Sequence, residues 1–346
     1  LKGFGLDSHP LTVISAGASL TYIDENYKDK SKHIQNFRYQ GQEDSMHLDP
    51  FTIQNLELFN SNSQSNKKAS LIGIIDKTKT SSGSRLLKSY LKRPLLDKTK
   101  IKFRQERISE ILKNNNLKDS MSRLLKETFD IERIISRISS NKTNPRELIN
   151  LKSSLKNINE LKKIIKKSTP ALYLLRQDFL NINRVINKIH ETIQDSCSVN
   201  ILKGGYIKDG FSKKLDKIRR IAKNSNEWLI NLQKEEQEKN NIPSLKIKYN
   251  KIFGYYIEVT KSHIDKVPDY FIRKQTLVNA ERYFTQELKD FEDTVLSSNE
   301  ALVNLENAIF NDLLKFIIEK SKEILNNSYI LSKIDVALSL AEVAFK

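Results

Sequence analysis

From Leu148 onward the apolar residues return at helical intervals. Leu148, Leu151, Leu155, Ile158, Leu161 and Ile165 fall on one face of an α-helix and are assigned to packing. Asn144-Pro145 supplies its start, a capping side chain followed by proline in the first turn. Similar stripes predict a mainly helical chain. LTVISAGASLTYI (11–23) reads as one helix, and the polar run NYKDKSKHIQN after it as a connection. Thr80 is the expected N-cap of a helix through RLLKSYL that stops at Arg93, because Pro94 disfavours helix in the residue before it. Asp97 caps the next, with Ile101, Ile108 and Leu112 on one face. Residues 211–240 carry Phe211, Leu215, Ile218, Ala222, Leu229 and Leu232 and end at Asn240-Asn241 ahead of Pro243. A longer helix is predicted from Thr285, with Glu287 favourable in its first turn. Its stripe of Leu288, Phe291, Val295, Leu302, Leu305, Ile309, Leu313 and Phe316 continues towards Leu325, and ~40 helical residues would extend roughly 60 Å.

Between these two long helices the period changes from 3.6 to 2. In YNKIFGYYIEVTK (249–261), Phe253, Tyr255, Ile257 and Val259 alternate with Gly254, Tyr256, Glu258 and Thr260, as in a strand with one buried face. SLKIKY before it sets Leu245, Ile247 and Tyr249 against Lys246 and Lys248, with Asn250-Lys251 as the turn. DYFIRKQTL is expected to be a further strand. Tyr255 falls on the apolar face and is expected in the core; Tyr256 lies opposite, either packed against a neighbour or facing a ligand. Gly254 marks a bulge or a close backbone approach. A chain that leaves along one long helix and returns along another should carry this small sheet at the tip of an arm.

Charge adds a candidate chemistry. The 346 residues hold 59 Lys and Arg against 42 Asp and Glu, a net charge of +17, which points to an anionic partner, most simply nucleic acid. Codon bias towards lysine, asparagine and isoleucine would produce part of the same excess. Lys246, Lys248, Lys251, Arg273, Lys274 and Arg282 would neutralise phosphates, with Asn250 and Asn279 as neutral donors. The histidines at 9, 33, 47, 190 and 263 have no metal-ligand spacing, and no carboxylate or histidine constellation suggests an enzyme. The lone Cys197 excludes an internal disulfide and suits a reducing compartment. No run of 18 or more apolar residues predicts a membrane-spanning helix. The chain opens on LKGFGL without methionine or a signal-peptide pattern, and is expected to be a piece of a longer protein.

SLKIKYNKIFGYYIEVTKSHIDKVPDYFIRKQTLVNAERYFTQELKDFEDTVL resembles the clamp region of the MutS family of bacterial DNA mismatch repair proteins. LDPFTIQNLEL (48–58), LIGIIDKTKTSSGSRLLKSYLKRPLLD (71–97), DIERIISRISSNKTNPREL (130–148) and IDVALSLAEVA (334–344) resemble its core domain in the same order, and GFGL the end of its connector domain. The resemblance implies a helical core with long lever helices and a small β-rich clamp inserted at their tip. It implies a connector end at 1–46, core and lever at 47–240, clamp at 241–284, and the returning lever with the end of the core at 285–346. It further implies clamp contacts with the backbone of mismatched or looped double-stranded DNA, a homodimer, a MutL-type repair partner, and a cytoplasmic, nucleoid-associated setting. ATP and magnesium would belong to a C-terminal domain; the sequence contains neither a G-x-x-x-x-G-K-[ST] phosphate loop nor a Phe-x-Glu, so this segment is expected to take no cofactor and to hydrolyse nothing.

The family's backbone contacts gather around NAER, here Asn279-Ala280-Glu281-Arg282. The resemblance thus favours Asn279 and Arg282, supported by Arg273 and the Asn250–Lys251 turn. Two positions depart from the family pattern. Val278 stands where a lysine usually precedes the asparagine, so a phosphate contact is lost there or supplied by Lys274. Gln286 stands where proline is frequent in the first turn, a tolerable change. Asp76, Thr78, Thr80 and Arg85 match family positions and are read as capping and packing. The competing expectation is a helical scaffold whose sheet docks another protein.

Overall fold

The computed structural model describes residues 10–27, 45–61, 69–196, 204–250 and 254–345. They form two compact units: residues 1–199 with 312–346, and residues 200–311. The architecture is mainly helical with one four-stranded antiparallel sheet.

The first unit contains α1 (Pro10–Tyr27), α2 (Pro50–Asn55), α3 (Leu71–Ile75), α4 (Ser81–Lys92), α5 (Lys98–Leu112), α6 (Asn115–Lys126), α7 (Ile131–Ser139), α8 (Pro145–Ile164), α9 (Pro170–Gln177) and α10 (Asn183–Thr192). Side-chain caps start several of them as the sequence predicts. Thr80 Oγ1 accepts from Gly83 N at 3.0 Å, and Asp97 accepts from Thr99 N and Lys100 N. Asn144 and Glu147 close a reciprocal capping box on α8, and all six stripe residues from Leu148 to Ile165 are fully buried. Truncating any of these leucines or isoleucines to alanine would cost about 2–5 kcal/mol. On α5, Ile101, Ile108 and Leu112 are only half-buried, whereas Ile111 is at 0% exposure, so the buried line runs one residue from the expected face.

The final helix of this unit, α13 (Ser321–Ala344), packs against α3 to α9. Burial on nearly every side obliges its polar residues to find partners. Asn327 exchanges both amide hydrogen bonds with Leu180 at 2.8 and 3.0 Å. Ser339 accepts from Lys77 N and donates to Ile75 O. The fully buried carboxylate of Asp335 accepts from Lys79 N, Thr80 N and Thr80 Oγ1 at 2.6–3.1 Å. A Cβ on Gly83 would overlap that carboxylate, so glycine is required for α4 to begin here. Asp76 accepts from Thr78 and Ser84 beside it, and Arg85 pairs with Asp130 and Glu132. These are capping and packing roles.

The second unit contains α11 (Lys213–Lys239), β1 (Lys246–Asn250), β2 (Gly254–Thr260), a 3-10 segment (Lys261–Lys266), β3 (Ile272–Thr276) and β4 (Ala280–Phe284), in the sheet order β1-β2-β4-β3. Asn241, at φ 54°, ends α11 in the left-handed conformation asparagine tolerates. The following helix, α12 (Gln286–Glu319), belongs to this unit as far as Asn311. Thr285 Oγ1 caps it by accepting from Leu288 N at 3.1 Å. Its 34 residues correspond to about 50 Å, shorter than the sequence stripe suggests. Lys320 N bonds to Ile317 O, a tightened 3-10 turn that separates α12 from α13 before Leu325 is reached.

One face of the sheet buries Ile257, Val259 and Tyr283 against Leu232 and Leu288, with Trp228, Leu229, Ile247 and Tyr255 around them. Trp228 stacks on Phe291 at 3.9 Å. Away from the sheet, the fully buried Glu306 of α12 pairs with Arg219 of α11 at 2.6 Å and accepts from Gly205 N at 2.7 Å.

Candidate nucleic-acid interface

Strand alternation and register assign the other sheet face. Lys246 stands opposite Glu258, Glu258 opposite Arg282, and Arg282 opposite Gln275. Lys248, Asn250, Tyr256 and Phe284 share this side by period. The pairing of β3 with β4 slips between Arg273 and Gln275, leaving Lys274 as the bulged residue. Lys246, Lys248, Lys274 and Arg282 are therefore gathered with Glu258, four cations to one carboxylate.

The cations differ in their freedom. Lys246 is exposed. Lys248 reaches Glu258 at 2.7 Å while remaining about half exposed. Lys274 Nζ sits over the Phe284 ring, 5.3 Å from its centroid. Arg282 is the most enclosed. Its side chain is 19% exposed, lies over Tyr256 at 4.4 Å, donates from Nη1 to Gln275 at 2.9 Å, and approaches Glu258 with Nε at 3.6 Å. That last distance is an ion pair but not a hydrogen bond, and the buried Nε has no hydrogen-bond partner. Lys248 above all, by its hydrogen bond, holds the Glu258 carboxyl below its ordinary value.

The remaining candidates lie elsewhere. Arg273 projects from the opposite side of β3, 3.7 Å from Glu281 and 65% exposed. Glu281 also accepts from the Tyr283 hydroxyl, whose pKa is pushed up to about 12, by burial first and that bond second. Asn279 is exposed at the β3–β4 turn, and its carbonyl accepts from Lys261 N at 3.2 Å. Asn250 is half-buried at the end of β1. Lys251 lies outside the described residues. Val278 is 84% exposed beside Asn279.

Tyr256 is buried at 5% beneath Arg282, and Tyr255 is half-buried between Tyr249 and Phe291. Tyr249, on the apolar side by alternation, is 54% exposed beside the Tyr255 ring, because β1 is an edge strand. Gly254, at φ 71°, marks a close approach: a Cβ would overlap the Glu292 carboxylate, which accepts from Tyr255 N at 3.3 Å. Sequence reasoning missed Glu258, Gln275 and Tyr256 as the setting of Arg282. The shared parity of Tyr256 and Glu258 was the available signal. Lys261, brought to the β3–β4 turn by its backbone bond, is a further exposed cation.

Among the described residues, no group of three or more His, Cys, Asp or Glu is arranged to hold a metal ion, and no helix is long and apolar enough to cross a membrane. Residues 51–341 match the family described as MutS domain III. The chain is 39% identical over 340 residues to a "DNA mismatch repair protein MutS" of Caldanaerobacter subterraneus subsp. tengcongensis, covering 98% of this chain and 39% of that protein. A protein of the same description from Salinibacter ruber is 36% identical over 345 residues, 99% of this chain and 38% of its own length. The chain thus spans about two fifths of these relatives.

Proposed function

This chain belongs to the MutS domain III family, and from that premise we propose that it is the lever and clamp segment of a DNA mismatch repair protein. The outer sheet face binds the duplex backbone without regard to sequence. The long helices α11 and α12 relay movement between that DNA end and an ATPase domain elsewhere in the full-length protein. The boundaries proposed from the resemblance, with the clamp at 241–284, follow the same reading. So do mismatched or looped DNA as ligand, a homodimer, a MutL-type partner, and ATP with magnesium bound outside this segment.

The observation that carries the reading is the excess of Lys246, Lys248, Lys274 and Arg282 over Glu258 on one sheet face. Backbone phosphates are recognised by such an array of cations and amide donors, and its contacts carry no base information. Lys246, Lys248 and Lys274 supply ammonium charge, Asn279 a donor at the turn, and Arg282 a braced cation. Arg273, Asn250 and Lys251 complete the proposed contact set at its margins.

Salt titration of duplex binding tests this. Log K should fall linearly with log salt, by ~0.9 for each phosphate neutralised. Salt-insensitive affinity, or none at low salt, would refute it and favour a protein-docking sheet using exposed Ile272 and Val278.

A further inference from the structure

In the first unit, a cavity of about 190 Å³ opens between α4, α5 and α13. Ile75, Leu87, Leu91, Ile108, Val336 and Leu340 make its walls apolar. Ala337, Tyr90, Arg104, Arg107 and Lys333 complete the lining. Positive charge in an apolar recess ordinarily comes with a carboxylate. Here Lys333 lies over the Tyr329 ring, while neither arginine forms an ion pair with any described residue. The Arg104 guanidinium lies 3.4 Å from the centroid of the Tyr90 ring. Such stacking occupies the face of the guanidinium and leaves its in-plane N–H donors available for a planar acceptor. Arg107 Nε is buried without a hydrogen-bond partner. Burial lowers the pKa of Arg104 through desolvation, with Arg107 adding repulsion as a smaller cause.

We propose that this cavity is a binding site for a carboxylate carried on a compact apolar group, its oxygens taken by Arg104 and Arg107. The volume sets the size of that group. Drug-sized ligands occupy roughly 300–1,000 Å³, whereas an apolar cavity of about 150 Å³ admits benzene. One ring or branched chain beside the carboxylate fills the space. A free aromatic acid and the C-terminal carboxylate of a polypeptide ending in phenylalanine present the same chemistry. The site is remote in sequence from the sheet and does not depend on the DNA reading.

Calorimetric titration of the intact chain with phenylacetate tests the site, with phenylacetamide as the neutral analogue and an acetylated tripeptide ending in phenylalanine as the second source. Phenylacetate should bind roughly tenfold more tightly than the amide, and Arg104→Met or Arg107→Met should remove that preference while leaving the amide unaffected. In the unsubstituted chain, phenylacetate should also shift the Nε–Hε resonances of Arg104 and Arg107, a readout that survives if a variant fails to fold. Tighter arginine-dependent binding of the tripeptide identifies a polypeptide terminus as the source, and tighter binding of phenylacetate a free acid. Equal affinity for acid and amide, or acid binding that leaves both arginine resonances unmoved, overturns the proposal.

Discussion

Asp335 in the first unit and Glu306 in the second are both fully buried carboxylates, yet they are satisfied differently. Glu306 meets a full positive charge in Arg219 and one backbone N–H from Gly205. Asp335 is held by the N–H groups and hydroxyl at the start of α4, where unpaired helix donors point outward. An ion pair concentrates the compensation in one partner, and removing either half strands the other. A helix terminus spreads it over several dipoles, each losing less. Hydrogen bonds from Thr80 and Lys79 offset only part of the desolvation of Asp335, whose pKa is raised, with burial as the largest cause.

The largest expected effect is Glu306→Ala, which leaves Arg219 with the exposed Asp209 and the Ile207 carbonyl and should destabilise the second unit by about 3–5 kcal/mol. Asp335→Ala should cost the first unit less, about 2–3 kcal/mol, for its stranded donors. Hydrogen exchange, followed separately at α11–α12 and at α4–α13 amides, would measure both. A larger loss for Asp335 would reverse the comparison.

Next in size is a difference in the sign of pH dependence. Asp335 titrates above 3.8 in the folded chain, so its contribution is present in full below 3.8 and lost as pH rises through the folded value. Glu258 titrates below 4.5, so its contribution is present above 4.5 and lost as pH falls through the folded value. Subtracting the stability profiles of Asp335→Asn and Glu258→Gln from that of the unsubstituted chain should give opposite slopes; slopes of one sign would show that the helix terminus compensates as fully as cations do.

The smallest effects concern DNA. Arg282→Ala should weaken matched and mismatched duplexes alike and lower the salt slope by ~0.9. Glu258→Gln should strengthen binding a few-fold at low salt, by releasing Lys248 and Arg282 from their shared carboxylate. Preferential loss on mismatched DNA, or weaker binding by the glutamine variant, would count against the proposed interface.

Much of the helical unit was legible because caps and stripes are local. Thr80, Asp97, Asn144 and the line from Leu148 to Ile165 act within one or two turns, and the structure has them as expected. The gathering of Lys246, Lys248, Lys274 and Arg282 was only half legible. Their charge was visible, but Arg282 meets Glu258 through the pairing of β2 with β4, and AERYF offers too short an alternation to announce a strand. The exposure of Tyr249 depends on strand order, which no local pattern encodes. The break at Lys320 escaped for the converse reason: the apolar stripe runs across it undisturbed.

The slipped register at Lys274 reaches further than the position of one lysine. It lies on β3, one of the two outermost strands, while β1, the other, presents Lys246 and Lys248. An outermost strand with an unbroken ladder is a template on which another chain can polymerise; a distorted one and a heavily charged one are poor templates. Neighbouring copies are thereby discouraged from adding strands to this sheet, and whatever engages it must come to its flat side.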